Sequence, residues 1–160
     1  ESLIDYLPRT VPAQDRTSII HGDYRLDNLL YAPDGPQALA VLDWELSTLG
    51  DPLADFAYLA MNWVMPADGG ASIGGLDLAA LNIPTLEEAV ARYCAATGRD
   101  AIGNLDWYFA FNLFRLMSIV QGIKKRWLDG NASNAKAEEM AQRVVPLAEA
   151  AWNFAQKAGA

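Results

Sequence analysis

His21-Gly22-Asp23-Tyr24-Arg25-Leu26-Asp27-Asn28, followed fifteen residues after Asn28 by Asp43 in Leu42-Asp43-Trp44-Glu45, is the stretch on which the reading of this chain turns. Apolar clusters flank the polar run on both sides, at residues 18–20 and 29–31, which predicts two short strands around an irregular loop. Pro33-Asp34-Gly35-Pro36 is a turn sequence, so residues 38–42 form the returning strand of a hairpin. The hairpin brings the loop carrying Asp23 and Asn28 beside Asp43. No other part of the chain predicts β structure.

Beyond the hairpin every signal is helical. Asp51-Pro52 pairs an N-cap residue with a proline at the first helical position, and Phe56, Leu59, Ala60 and Trp63 follow at helical spacing, so a helix is expected to about residue 64. The glycines at 69, 70, 74 and 75 predict a mobile connection. Thr85-Leu86-Glu87-Glu88 is a capping box, with Leu86, Ala89, Val90, Tyr93, Cys94 and Thr97 on one face before Gly98 ends the helix. Residues 105–128 are apolar nearly all round, from Trp107, Tyr108, Phe109, Phe111 and Phe114 to Ile123, which predicts a buried central helix whose aromatics are core. A last helix over 134–157 places Met140, Val144, Leu147, Ala151 and Ala155 on one stripe, with a kink expected at Pro146. The fold class predicted is mainly α with a small β-hairpin region, in a single unit over residues 1–160.

Composition bounds the function. At 160 residues and 17.4 kDa, 52% hydrophobic and 20% charged, with a mean hydropathy of +0.03, the chain has room for one domain or one lobe of a larger one. It has no apolar run long enough for a membrane span. A net charge of −8 argues against duplex nucleic acid or an anionic membrane as partner, since both require a basic surface. One cysteine, Cys94, and one histidine exclude an internal disulfide and a thiolate or imidazole zinc cage, which leaves oxygen ligands and hard cations. No basic-then-apolar segment follows Glu1, so no signal peptide is predicted and a cytoplasmic setting is expected.

The polar stretch reads H-x-D-x-x-x-x-N, then a hairpin, then an aspartate ending a strand. By average residue frequencies the first pattern follows a given histidine on the order of a few times in a thousand. Phosphoryl transfer needs these residue types: a carboxylate to orient the attacking hydroxyl and accept its proton, and hard oxygens to hold magnesium against a triphosphate. HGDYRLDNLLY with VLDWELSTLGDPLADFAYL resembles the C-terminal lobe of the aminoglycoside phosphotransferase family, which shares its fold with choline kinases and protein kinases. ATGRD and QGIKKRWLDGNAS extend the likeness to the branch fused to acyl-CoA dehydrogenases and its stand-alone bacterial relatives.

The resemblance implies an ATP-dependent phosphotransferase using Mg2+ and acting on a small-molecule hydroxyl, either aminoglycoside-like or hydroxyacyl-CoA-like. It implies Asp23 as catalytic base, Asn28 and Asp43 as magnesium and nucleotide ligands, and Arg25 as a contact to the transferred phosphate. His21 is structural in such a site, and Asp55 braces the catalytic loop through backbone N–H groups. Trp44 and Glu45 stand where protein kinases carry phenylalanine and glycine, so no flip of that segment is expected.

Plainer readings stand beside these. Asp51 serves as an N-cap, Arg25 as half of a surface ion pair, and Lys124-Lys125-Arg126 as a solvated helix end or, alternatively, a contact to an anionic substrate. Only twenty residues precede His21, too few for a glycine-rich loop and strand lysine over the phosphates. The chain is therefore expected to be the C-terminal lobe alone, with the nucleotide-binding lobe of the same protein as its partner and little activity by itself. A catalytically silent kinase-like module and a metal-dependent phosphohydrolase are the rival readings.

Overall fold

A computed structural model describes residues 2–65 and 72–160. Helix α1 (Leu3–Arg9) leads to strand β1 (Ser18–Ile20), and a 3₁₀ turn at Leu26–Asn28 precedes β2 (Leu29–Tyr31) and β3 (Ala38–Val41). A second 3₁₀ turn at Trp44–Leu46 leads into β4 (Thr48–Gly50), after which the chain is helical: α2 (Leu53–Ala60), α3 (Leu86–Thr97), α4 (Leu105–Leu128), α5 (Ala137–Ala141) and α6 (Val144–Lys157). The architecture is mainly α with a small β region, as the sequence predicts.

The β residues divide into two antiparallel pairs. β2 and β3 form the expected hairpin, with Leu29 opposite Val41, whereas β1 pairs with β4, Ile20 opposite Thr48. The sequence reading contains no β4: Thr48-Leu49-Gly50 is too short to show an alternation and gains its strand character only from the partner β1. Because β1 and β4 bracket the hairpin, the loop after β1 and the loop after β3 emerge side by side. That placement builds the site.

The core lies between α4 and the helices around it. Leu113 and Val120 of α4 and Leu147, Ala151 and Ala155 of α6 are 1% exposed or less, and Ala57 of α2 joins them. Fully burying a leucine contributes roughly 1.5–3 kcal/mol, so this α4–α6 seam carries much of the stability. The apolar stripe read from sequence on the last helix is the stripe that is buried. Three readings need correction. Residues 134–157 form two helices, with α5 ending at Ala141 and Pro146 in the first turn of α6, where its missing N–H leaves no bond unmade; no kink results. The apolar character of α4 is not burial throughout, since Ile119 is 50% and Leu128 67% exposed; its fully buried positions run from Trp107 to Val120 and none lies beyond. An N-terminal helix, α1, was not foreseen; Leu3, Tyr6 and Leu7 anchor it in the core. The capping box is present as read, with Thr85 Oγ1 accepting the Glu88 N–H at 3.2 Å, the Glu88 carboxylate accepting the Thr85 N–H at 2.9 Å, and Gly98 closing α3 in the left-handed region. Of the glycines read as a mobile connection, Gly69 and Gly70 lie outside the described residues. Among the described residues no helix is long and apolar enough to cross a membrane.

Candidate functional site

β1 delivers the chain to His21, which is 2% exposed. Its Nε2 donates to the carbonyl of Leu42 at 2.7 Å, and its Nδ1 accepts the backbone N–H of Asp23 at 3.2 Å. With both ring nitrogens used this way, the imidazole ties the loop after β1 to the end of β3. Gly22 follows at φ +83°, and a Cβ there would stand 2.7 Å from the Leu46 carbonyl oxygen, so both the turn and the close approach require glycine. The backbone N–H groups of His21 and Gly22 point at one carboxylate: Asp55, in the first turn of α2, accepts them at 2.5 and 2.9 Å. Asp55 thus holds the turn before Asp23 through two charge-assisted bonds.

Past the turn, Asp23 and Asn28 face each other. Asn28 Nδ2 donates to the Asp23 carbonyl at 2.9 Å and to its carboxylate Oδ2 at 3.1 Å. That fixes the orientation of the amide and leaves Asn28 Oδ1 without a donor among the described residues. The backbone N–H of Leu42 donates to the Asn28 carbonyl at 2.8 Å, so Asp43 follows one residue after the link between the loops. Asp43 is exposed and left-handed, at φ 65° and ψ 55°, a conformation that aspartate tolerates better than most side chains. Asn28 and Asp43 thus bring two hard oxygen groups to neighbouring loops.

The other sequence candidates fall as follows. Arg25 donates through Nε at 2.9 Å, and through Nη2, to Asp27, which is the surface ion pair of the plainer reading. Lys125 pairs with Asp129 at 2.8 Å on the exposed end of α4. Asp51 does cap α2, accepting the Leu53 N–H at 3.0 Å, but it is only 6% exposed and also accepts the Tyr108 hydroxyl, so it ties α2 to α4 as well. Burial and this bond raise the Tyr108 phenol well above its ordinary range.

Two residues escaped the sequence reading. Tyr58 on α2 is 7% exposed; burial, then hydrogen bonding to Asp23, pushes its phenol up to about 12. Its position three residues after Asp55, on the same helical face, was the available signal. Arg115 on α4 sits with its guanidinium carbon 5.2 Å from the centre of the Tyr58 ring. Nothing local marks Arg115, because only the packing of α4 on α2 brings it there.

Residues 1–108 match the family model described as APH, phosphotransferase enzyme family. Among curated proteins, the chain is 46% identical over 161 residues to acyl-CoA dehydrogenase family member 10 of Mus musculus, covering 99% of this chain and 15% of that protein. It is 34% identical over 159 residues to acyl-CoA dehydrogenase family member 11 of Homo sapiens, covering 98% of this chain and 20% of that protein. The chain therefore spans a fifth or less of the length of these relatives. A crystal structure of a candidate aminoglycoside phosphotransferase from Ralstonia eutropha superposes with a TM-score of 0.89 at 48% identity, over 97% of this chain and 48% of the other.

Proposed function

The chain belongs to the APH phosphotransferase enzyme family, and from that premise we propose that it is the catalytic lobe of an ATP-dependent kinase for a small-molecule hydroxyl. The observation that carries the proposal is the Asp23–Asn28 pair, held beside Asp43 by His21 and fastened from below by Asp55. In this reading Asp23 receives the proton of the acceptor hydroxyl. The acceptor oxygen forms a bond to the γ-phosphorus of ATP while the bond from that phosphorus to the bridging oxygen breaks, giving a phosphate ester and ADP.

Asn28 and Asp43 are the residues that would hold magnesium. They fit it: one amide oxygen without a donor among the described residues and one exposed carboxylate are hard ligands, and Mg2+ ordinarily keeps waters and substrate phosphates in its remaining positions. When bound, the cation neutralises charge on the β- and γ-phosphates. Asn28 holds the Asp23 carboxylate in place. Arg25 acts on phosphate only if it leaves Asp27.

The nucleotide-binding lobe belongs, in this reading, to the rest of the protein. This accords with the chain covering 48% of the Ralstonia structure, and with Ile19, Trp44 and Leu49 standing 48–72% exposed on the strands and loops around the site. The relatives are named for acyl-CoA dehydrogenation and the Ralstonia structure for aminoglycoside phosphorylation, so the acceptor classes to be tested are both hydroxyacyl-CoA-like and aminoglycoside-like. The test is ATP consumption by the full-length protein with a panel of hydroxyl compounds, for wild type and Asp23→Asn. Acceptor-dependent ADP formation, lost about 10²–10⁴-fold in the variant, is the expected result. Phosphate release without acceptor would make the protein a hydrolase, and no nucleotide binding with magnesium present would make it a silent module.

A further inference from the structure

Residues 11–16, which lead from α1 towards β1, make no backbone-to-backbone hydrogen bond among the described residues. Two adjacent side chains fasten them instead, both to the end of α3, more than eighty residues away. Asp15, an exposed residue, accepts from Nη1 of Arg99 through both carboxylate oxygens, at 3.1 and 3.0 Å. The Arg16 guanidinium donates to the carbonyl of Thr97 and, at 2.9 Å, to that of Gly98, where α3 ends. The last carbonyls of a helix lack intrahelical partners and carry partial negative charge, so a cation is favoured there.

This clasp is half made on the Arg99 side. The Arg99 side chain is 6% exposed, yet its Nε and Nη2 are buried without a hydrogen-bond partner among the described residues, and Asp15 engages Nη1 alone. The pair thus forgoes the two-nitrogen fork by which arginine grips a carboxylate most firmly. Asp51, the other carboxylate whose charge reaches Arg99, is taken up by the Leu53 N–H and the Tyr108 hydroxyl, and Tyr93 beside Arg99 has its phenol pushed up by burial and stays neutral. The ends of the segment are anchored separately. Thr10 donates to the Tyr6 carbonyl at 2.9 Å and accepts the Trp107 indole N–H at 3.0 Å, and Ser18 pairs with Gly50 in the β1–β4 ribbon. Between these two fixed points, Val11, Pro12 and Gln14 form one wall of a cleft of about 540 Å³ whose lining also includes Ile20, Gly22 and Leu46, at the catalytic loop and the turn after β3.

We propose that residues 11–16 are a strap that gates this cleft, closed while Asp15 sits on Arg99 and Arg16 on the end of α3, and opening as a unit about Thr10 and Ser18 when that clasp releases. Closure is favoured because opening leaves a buried guanidinium without its carboxylate. Opening remains accessible because Asp15 is exposed, where an ion pair is weak and screened by salt, and because no backbone hydrogen bond has to break. Access to the cleft is thereby set by two side-chain contacts and by ionic strength. The proposal goes beyond the phosphotransferase reading and does not depend on it.

The test places a thiol inside the cleft. Ala54 lines it from α2, so Ala54→Cys is made in the full-length protein and its modification by the uncharged reagent N-ethylmaleimide is followed by mass spectrometry of the peptide carrying position 54, which separates it from Cys94. Asp15→Asn and Arg99→Gln are then added one at a time. Each is expected to speed labelling about two- to fivefold, the worth of an ion pair with an exposed partner. With the clasp intact, about 1 M KCl should speed labelling to a similar extent, and it should have little effect in either variant. A change in the thiol's own pKa would not imitate this result, because one variant removes a negative charge and the other a positive one, and their effects on the thiol would have opposite signs. Asp15→Asn alters only an exposed side chain, so it provides a folded protein even if the buried change at Arg99 does not. A labelling rate unchanged by Asp15→Asn, opposite changes in the two variants, or salt acceleration that persists in Asp15→Asn overturns the strap.

Discussion

Oδ2 of Asp55 accepts the backbone N–H of His21 at 2.5 Å across 34 residues of sequence, while its Oδ1 holds the next N–H, that of Gly22. One carboxylate on α2 thereby sets the path of the chain immediately before Asp23. Asp55→Asn keeps the shape but turns an NH2 group toward an N–H donor. Each charge-assisted bond lost costs about 1.5–3 kcal/mol, so urea denaturation should show a loss of that order and phosphoryl transfer should fall by more than tenfold. A variant of unchanged stability and activity would remove Asp55 from the site.

Gly22 answers to two constraints at once. At φ +83° a side chain costs roughly 1–2 kcal/mol, and the added Cβ would press on the Leu46 backbone, which cannot rotate away. Gly22→Ala should therefore lower the thermal midpoint by several degrees, whereas Gly35→Ala, in the hairpin turn with open space around it, should leave it nearly unchanged. Equal shifts at the two positions would show that the approach to Leu46 is not limiting.

Tyr58 predicts a pH dependence. Its phenol titrates near 10 when unfolded and at about 12 when folded, because of burial first and the bond to Asp23 second. Between those values the folded chain holds a proton that the unfolded chain has released. The associated stability is complete below pH 10 and is lost as pH rises toward about 12. Tyr108 shifts in the same direction. Denaturation midpoints compared at about pH 9 and about pH 11 should fall less in Tyr58→Phe than in wild type; parallel falls would contradict the raised value.

The capping box at Thr85 offers a contrast in which stability and function separate. Thr85→Ala removes the acceptor for the Glu88 N–H and should cost about 1 kcal/mol in denaturation experiments. Because α3 contributes no residue to the Asp23 loop, kcat and KM should not change. A change in kcat would mean that α3 is coupled to the site.

Much of the candidate site was legible because its residues are close in sequence. His21, Asp23 and Asn28 occupy one loop, and the Pro33–Pro36 turn announces the hairpin that returns the chain to Asp43. Asp55 could be named in advance only through the family resemblance; its bonds to His21 and Gly22 span more than thirty residues and no local period reports them. β4 escaped for the same reason, as three residues acquire strand geometry only from β1. Pro146 was misjudged because a single helix was assumed to run through residues 142–143, and a proline reads differently in a first turn than in an interior.

The sequence by itself determined the mainly helical class, the stripe on α6, the capping box and the chemical types gathered around the histidine. These depend on periodicity and on neighbours within a few residues, which the linear order preserves. Tertiary structure alone decided that Asp51 ties α2 to α4 as well as capping α2, and that Arg115 of α4 packs over the ring of Tyr58 on α2. Those relations arise where α4 packs across α2, and the partners of a buried polar group are chosen by that packing rather than by spacing along the chain.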